Sequence, residues 1–336
     1  MPAWPFMSKL FRLGLLSFSL ALAGSPLAAS SYLFYLEAQG VAGYSSAAQK
    51  AVFYSLSPEE AMQKPSLGFD YVQRFSDEYG DTGVLSLQVR LTVNAQGGTT
   101  LEPQVYNGFL KLKLGFVDLW AGHNRPRFGL SADLDNHALL LQGLSMRGFG
   151  FDRDWGVGLE RDLAWGQAGL SLTSGSGMPF YLKGNYFLAG RVSWGVLARH
   201  NLSLGFSAGL GKLLDVMGFT LLSETPRPFA AVGVDFTRLW NNLESRVEVM
   251  AGRMAGQPAY ALFWRVGIGF LEENRLKLEV QPMVIRKEGQ TRALLAAGVS
   301  FPAAEDWTLR GMVQYDRESR DTLFVLQVYF YKGIRF

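Results

Sequence analysis

From Val84 to Val93 the chain places an apolar side chain at every second position: Leu85, Leu87, Val89, Leu91 and Val93 alternate with Ser86, Gln88, Arg90 and Thr92. An extended backbone turns successive side chains to opposite faces, so this segment is a strand with one apolar and one wet face. The pattern returns in Tyr106, Gly108, Leu110, Leu112 and Leu114 against Asn107, Lys111 and Lys113. It returns again in Leu262, Trp264, Val266, Ile268 and Phe270 around Arg265, and in Leu309, Gly311, Val313 and Tyr315 against Thr308, Arg310, Gln314 and Asp316. Serial segments of about ten residues with this repeat, separated by turn residues, predict an all-β, antiparallel, up-and-down transmembrane β-barrel.

Sixteen strands are predicted, at 31-44, 66-75, 83-93, 104-114, 118-125, 153-160, 165-174, 185-195, 200-210, 229-237, 243-253, 259-270, 275-286, 291-300, 307-316 and 322-336. The count has an internal check, because such barrels alternate short turns at one rim with longer loops at the other. Gly115 to Val117, Arg161 to Ala164, Glu272 to Asn274 and Pro302 to Asp306 all fall on one rim, and the long stretches 45-65, 126-152 and 211-228 on the other. A missed hairpin preserves this parity, so 14 or 18 strands satisfy it too. The competing fold is a soluble β-sandwich, which seldom uses strands this long in unbroken succession. Trp120, Trp155, Trp165, Trp194, Trp240, Trp264 and Trp307 fall mostly near predicted strand ends, where an amphipathic ring suits the lipid headgroup level.

The N-terminus reads as a secretory signal peptide over 1-30. Lys9 and Arg12 precede the apolar run Leu13 to Ala23, and Ala28, Ala29 and Ser30 form a small-residue exit. That run is too short for a spanning helix of about 20 residues, and no later stretch reaches even 18 uncharged apolar residues, which argues against a helical membrane protein. The rest, 31-336, is expected to be one barrel. The chain has no cysteine, hence neither a disulfide framework nor a thiolate metal site. Its formal charge of +3 falls to about +1 without Lys9 and Arg12, a balance that points to no nucleic-acid partner.

The last strand closes as YKGIRF, with Val328, Phe330, Ile334 and Phe336 in one phase and Lys332 the single polar intruder. It resembles the C-terminal signal by which outer-membrane barrels are recognised for assembly. The resemblance implies an outer-membrane location, lipid and the barrel-assembly machinery as partners, and Phe330, Ile334 and Phe336 as the assembly signal.

Residues able to carry chemistry are few. His123 beside Asn124, with Ser131 or Ser145, contains the side-chain types of a hydrolase, but no motif joins them. Asp133, Asp135 and His137 are near enough in sequence to share a cation, yet carboxylates in such a loop are ordinarily solvated or paired with arginine. The glycine run Gly205 to Gly211, ending in GLGK, lacks phosphate-loop spacing. The reading is therefore no catalytic residue, no metal and no cofactor.

The segment 118-160 is the most informative. Gly122, Arg125, Pro126, Phe128 and Gly129 end one strand, a long connection follows, and Arg153, Asp154 and Gly156 open the next. This resembles the phosphate-selective porin O and P family over about 45 residues. The resemblance implies a sixteen-stranded, water-filled pore narrowed by its inward-folding third outer loop, near 126-152. This chain is less basic than that family, so phosphate selectivity is not carried over.

The expected pore and constriction residues are Arg90, Lys111 and Lys113 from the polar strand phase, and Arg125, Arg127, Asp133, Asp135, Arg147 and Arg153 from the loop and its flanks. A mild excess of cations, including Arg191, Arg246, Arg265, Lys277 and Arg310 against Glu37, Glu244, Glu248, Glu279 and Asp316, suggests small ions, with some preference for anions, as solutes. The expectation is a passive diffusion channel rather than an enzyme, with association into a homotrimer by analogy of fold. A barrel phospholipase or protease, and a closed structural or adhesin barrel, are the alternatives.

Overall fold

A computed structural model describes residues 30–52, 64–94 and 100–334; the predicted signal segment before Ser30, and Phe336, lie outside the described residues. The strands are β1 (Ser30–Ser45), β2 (Lys50–Val52), β3 (Ser66–Asp77), β4 (Gly80–Asn94), β5 (Thr100–Lys113), β6 (Asp118–Asn124), β7 (Asp154–Leu163), β8 (Gly166–Thr173) and β9 (Tyr186–Trp194). They continue as β10 (Leu202–Met217), β11 (Thr220–Trp240), β12 (Leu243–Met254), β13 (Gln257–Phe270), β14 (Leu276–Lys287), β15 (Gln290–Ala304), β16 (Trp307–Asp316) and β17 (Asp321–Ile334).

From β3 onward each strand pairs antiparallel with the next, and β17 returns to β1 in register from Phe34↔Ile334 to Ser45↔Leu323. The sheet is thereby a closed barrel, whose wall has no open edge strand among the described residues. The three-residue β2 only extends the end of β1, so sixteen full strands form the wall, and each overlaps a predicted span.

Burial follows the period-two pattern. Along β13, Ala259, Ala261, Phe263 and Arg265 are buried and point inward, whereas Tyr260, Leu262 and Trp264 alternate outward and stay about half exposed. The same outward phase on other strands carries Val232, Val234, Leu278, Val280, Leu309, Leu326 and Val328. A band of apolar side chains around the whole wall is far more than water tolerates and is what hydrocarbon solvates. Trp165, Trp194, Trp240 and Trp307 sit exposed at the short-turn rim, next to the turns that end β7, β9, β11 and β15. Trp120 departs from the expected girdle and points inward, fully buried, while Trp264 lies in mid-strand facing outward, with its indole N–H donating to Ser245 Oγ at 3.1 Å.

One connection differs from expectation. The stretch 211–228 is not a loop but the outer part of a long hairpin, in which β10 and β11 pair to Met217↔Thr220 with register shifts at Leu213/Asp215 and Asp215/Val216. Pro226 and Pro228 cannot donate to a ladder, and the segment loses apolar alternation because no lipid face constrains it there. The outer rim therefore mixes long connections with tight ones such as Met254 to Gln257 and Lys287 to Gln290.

Candidate functional site

After Asn124 the chain leaves the sheet and re-enters it at Asp154. The intervening loop, 125–153, contains two short 3-10 turns, Leu130–Ala132 and Leu144–Arg147. Its polar groups reach strands all round the wall. The Leu130 N–H donates to Glu248 on β12 at 2.6 Å, and Asp133 accepts from Arg191 on β9 at 2.6 Å. His137 Nε2 lies 2.8 Å from Glu37 on β1. Arg265 on β13 donates to the Leu141 carbonyl at 2.8 Å, Gln281 on β14 to the Gln142 carbonyl at 2.9 Å, and Arg147 to Gln314 on β16 at 3.1 Å. A segment tied to β1, β9, β12, β13, β14 and β16 crosses the barrel interior.

Apolar packing fixes the same path. Phe128, Leu130, Leu144, Phe149 and Phe151 bury against Phe187, Phe229, Met250, Phe263 and Met283, which are inward residues of β9 to β14. Phe128 meets Phe187 and Phe229 edge-on, with ring centroids 5.5 and 5.9 Å apart, the favoured aromatic geometry. Each such buried ring contributes about 1.5–3 kcal/mol. Gly129 stands where φ is +66°, and a Cβ there would collide with the Glu248 carboxylate and Met250, so glycine is what lets the loop dock on β12.

The interior thus divides in two. Near the outer rim, the inward phase of β9 to β15 is apolar and covered by the loop. Below it the same phase turns charged: Glu244, Arg246, Lys277 and Glu279 form one network in which Lys277 bonds Glu244 and Glu279, each at 3.0 Å.

The sequence-derived site residues fall into distinct groups. Arg153 is fully buried, bonded to Asp152 at 2.5 Å, Tyr106 Oη at 2.9 Å, Asn107 at 2.7 Å and Asp135 at 3.1 Å, with its guanidinium 3.8 Å from the Tyr106 ring centroid. Arg125 joins it on Asp135 at 2.6 Å. Burial alone would raise the Asp135 pKa, but Arg153 and then Arg125 hold that carboxyl well below the usual carboxylate range. Arg127 pairs with Glu160 on β7, which also takes Lys111 at 2.6 Å. Asp133 links the loop to the Arg191–Asp235 pair, 2.7 Å long between β9 and β11. Arg90 is fully buried in the wall, donating to Gln104 at 3.1 Å. Lys113 stands apart, exposed at the short-turn rim and 3.9 Å from Asp81. Arg147, in the second 3-10 turn of the loop, is buried and donates to Gln314 on β16. In the assembly segment, Phe330 faces outward and packs on Trp307 at 4.8 Å, and Ile334 is in register with Phe34.

His123, Ser131, Asp133, Asp135 and His137 each have their own neighbours. His123 is buried and stacked on Trp155 at 4.7 Å, and Ser131 Oγ donates to the Phe128 carbonyl at 3.2 Å. The Asp133 carboxylate turns to Arg191, that of Asp135 to Arg125 and Arg153, and the His137 ring to Glu37, while the His137 backbone N–H donates to Asp135 at 2.9 Å.

Glu160 and Asp235 anchor two of these ion-pair groups without having stood out in the sequence. Asp235 follows Phe229, Ala231 and Gly233 in a phase that reads as apolar on both faces, because this wall is covered inside by the loop and outside by lipid-type contacts. Polar bonds also organise the next connection: Asp154 accepts from Thr173, Ser174 and the backbone N–H groups of Gly175 and Gly177 at 2.6–3.0 Å.

Replacing Arg191 with Met is expected to strand Asp235, 1 % exposed at its side chain, and cost about 3–5 kcal/mol. The variant should lose its heat-modifiable folded band at a lower temperature, and the double substitution Arg191→Met/Asp235→Leu should recover part of the loss. A double variant as weak as the single one would contradict this pairing.

A closed sixteen-stranded antiparallel barrel with an apolar outer face and a loop across its charged interior has the architecture of the outer-membrane porins. No family model matches the chain, and no curated protein matches it. Solved structures do match. OmpF of Salmonella typhi aligns over 90 % of this chain and 97 % of its own, with a TM-score of 0.66 at 10 % identity. A loop L8 deletion mutant of OmpT, an outer membrane protein of Vibrio cholerae, aligns over 91 % and 100 %, with a TM-score of 0.62 at 12 % identity. An anion-selective porin from Comamonas acidovorans aligns over 91 % and 100 %, with a TM-score of 0.57 at 10 % identity. Likeness at this identity shows the porin-type fold, not the porin O and P family in particular.

Proposed function

We propose that this chain is an outer-membrane porin, a passive channel through which small hydrophilic solutes diffuse, with no chemical step. The observation that carries the reading is the combination of a lipid-type outer face with a charged lower interior beneath a loop that narrows but does not line the whole barrel. A mild anion preference is supported by Arg265 and Arg310. Among the described residues their hydrogen-bond partners are neutral: Gln281 and the Leu141 carbonyl for Arg265, and Gln327 for Arg310. Most other loop and lumen cations have a carboxylate partner, so the net field is small. The kinship with the porin O and P family rests on Gly122, Arg125, Pro126, Phe128, Gly129, Arg153, Asp154 and Gly156, and association as a homotrimer on the trimer form described for Vibrio cholerae OmpT.

Purified protein in a planar bilayer is expected to give discrete conductance steps and a reversal potential of anion-selective sign in a salt gradient. The Arg265→Gln/Arg310→Gln variant should move that potential toward zero. Absence of steps would refute the channel; a cation-selective sign would refute only the preference.

A further inference from the structure

Between the outer face of the loop and the long β10–β11 hairpin lies a cavity of about 270 Å³. Phe151, Met178, Leu213, Val216, Phe229 and Met254 form the apolar part of its walls. Two glycines allow this closure. Gly177 has a φ of +68°, and a side chain there would press on Phe151 and Val216 at 3.0 and 3.1 Å; Gly148 has a φ of +93°, and its missing Cβ leaves room for the Lys287 ammonium 3.2 Å away.

The charges around the cavity are unevenly matched. Asp152 is bonded to Arg153 at 2.5 Å, and Arg227 serves both Glu288 at 2.7 Å and Asp215 at 3.9 Å. Lys287 Nζ donates to the Arg147 carbonyl at 3.3 Å, and among the described residues it has no carboxylate within ion-pair reach. A chamber with one apolar side, and with a lysine that among the described residues is bonded only to a carbonyl, suits a ligand with a compact apolar body and one negative head.

We propose that this cavity is a binding site for small amphipathic organic anions, with the apolar body between Phe151, Met178 and Val216 and the anionic head on Lys287. Binding here does not require conduction, so it is testable apart from the pore. The experiment is calorimetric titration of the folded, detergent-solubilised protein with 4-phenylbutyrate, 4-phenylbutan-1-ol and 4-phenylbutylamine. The acid is expected to bind saturably and about tenfold tighter than the alcohol, as one hydrogen bond to a charged group allows, and the amine no tighter than the alcohol. Lys287→Gln, at an exposed position, should remove the acid's advantage and leave the alcohol unchanged. Val216→Trp, filling the chamber in protein that still shows a heat-modifiable band, should weaken all three. Equal affinity for acid and alcohol, an unchanged acid affinity in Lys287→Gln, or heat that never saturates would each overturn the assignment, whether or not the protein conducts.

Discussion

A chain ending at Phe330 is expected to yield no folded, heat-modifiable barrel. Removing the residues beyond it deletes the β17 partners of Phe34, Tyr35, Leu36 and Glu37, which are Ile334, Gly333, Lys332 and Tyr331. On their other edge the same four β1 residues pair with β3, so the loss leaves one side of β1 unpaired while the other stays in the sheet. In hydrocarbon each unsatisfied backbone group costs several kcal/mol, so a few open rungs exceed the 5–15 kcal/mol that stabilises a typical domain. Side chains add to the seam: Tyr331 stacks on Tyr35 at 4.7 Å and its hydroxyl donates to Asp70 at 2.9 Å, while Lys332 bonds Asp306 at 2.9 Å. The last contact explains the one polar residue in an apolar phase, since it lies at the short-turn rim, where β15 turns into β16. Recovery of a heat-resistant folded band from the truncated chain would contradict closure by these rungs. Phe336→Ala separates recognition from pairing: it should reduce assembly in cells more than refolding in vitro.

Replacing residues 130–150 by a short Gly-Ser linker is expected to raise single-channel conductance several-fold while the barrel persists. The wall ladders run between neighbouring strands and do not pass through the loop, so closure survives its loss. What is lost is the plug of Leu130, Leu144 and Phe149, together with the bonds from Arg191, Arg265, Gln281 and Gln314 that hold the loop across the lumen. The variant also uncovers Phe187, Phe229 and Phe263, so its folded band should survive to a lower temperature than that of the parent. Unchanged conductance would mean that the loop does not obstruct the path of ions.

The wall was legible because lipid outside and water inside impose opposite demands on alternate residues. Val84 to Val93 and Leu309 to Asp316 announce themselves for that reason, and all sixteen spans lie where alternation put them. Legibility failed wherever one of the two solvents is missing. Beyond the membrane, Lys212 to Pro228 pairs as a hairpin without apolar alternation. Under the loop, inward positions such as Phe187, Ala231 and Phe263 are as apolar as the outward ones, so Asp235 sits in a phase with no polar signature. Trp120 looked like a girdle residue from its place near a strand end, yet it points into the barrel and is fully buried.

The candidate constriction shows the same division. Arg125, Arg127, Asp133, Asp135, Arg147 and Arg153 belong together by proximity in sequence, but the partners Glu160, Arg191 and Gln314 come from strands beyond the loop. By itself, the sequence determined where the strands lie and which of their faces is apolar, because period-two patterning is a local record of two unlike solvents; that there are sixteen, and not 14 or 18, came from closure of the sheet. Only the tertiary structure decided how the loop crosses the interior, which charges cancel, and that, among the described residues, Arg265, Arg310 and Lys287 have neutral hydrogen-bond partners. Charge pairing acts through space across a closed barrel, and closure brings together residues whose separation in sequence carries no trace of it.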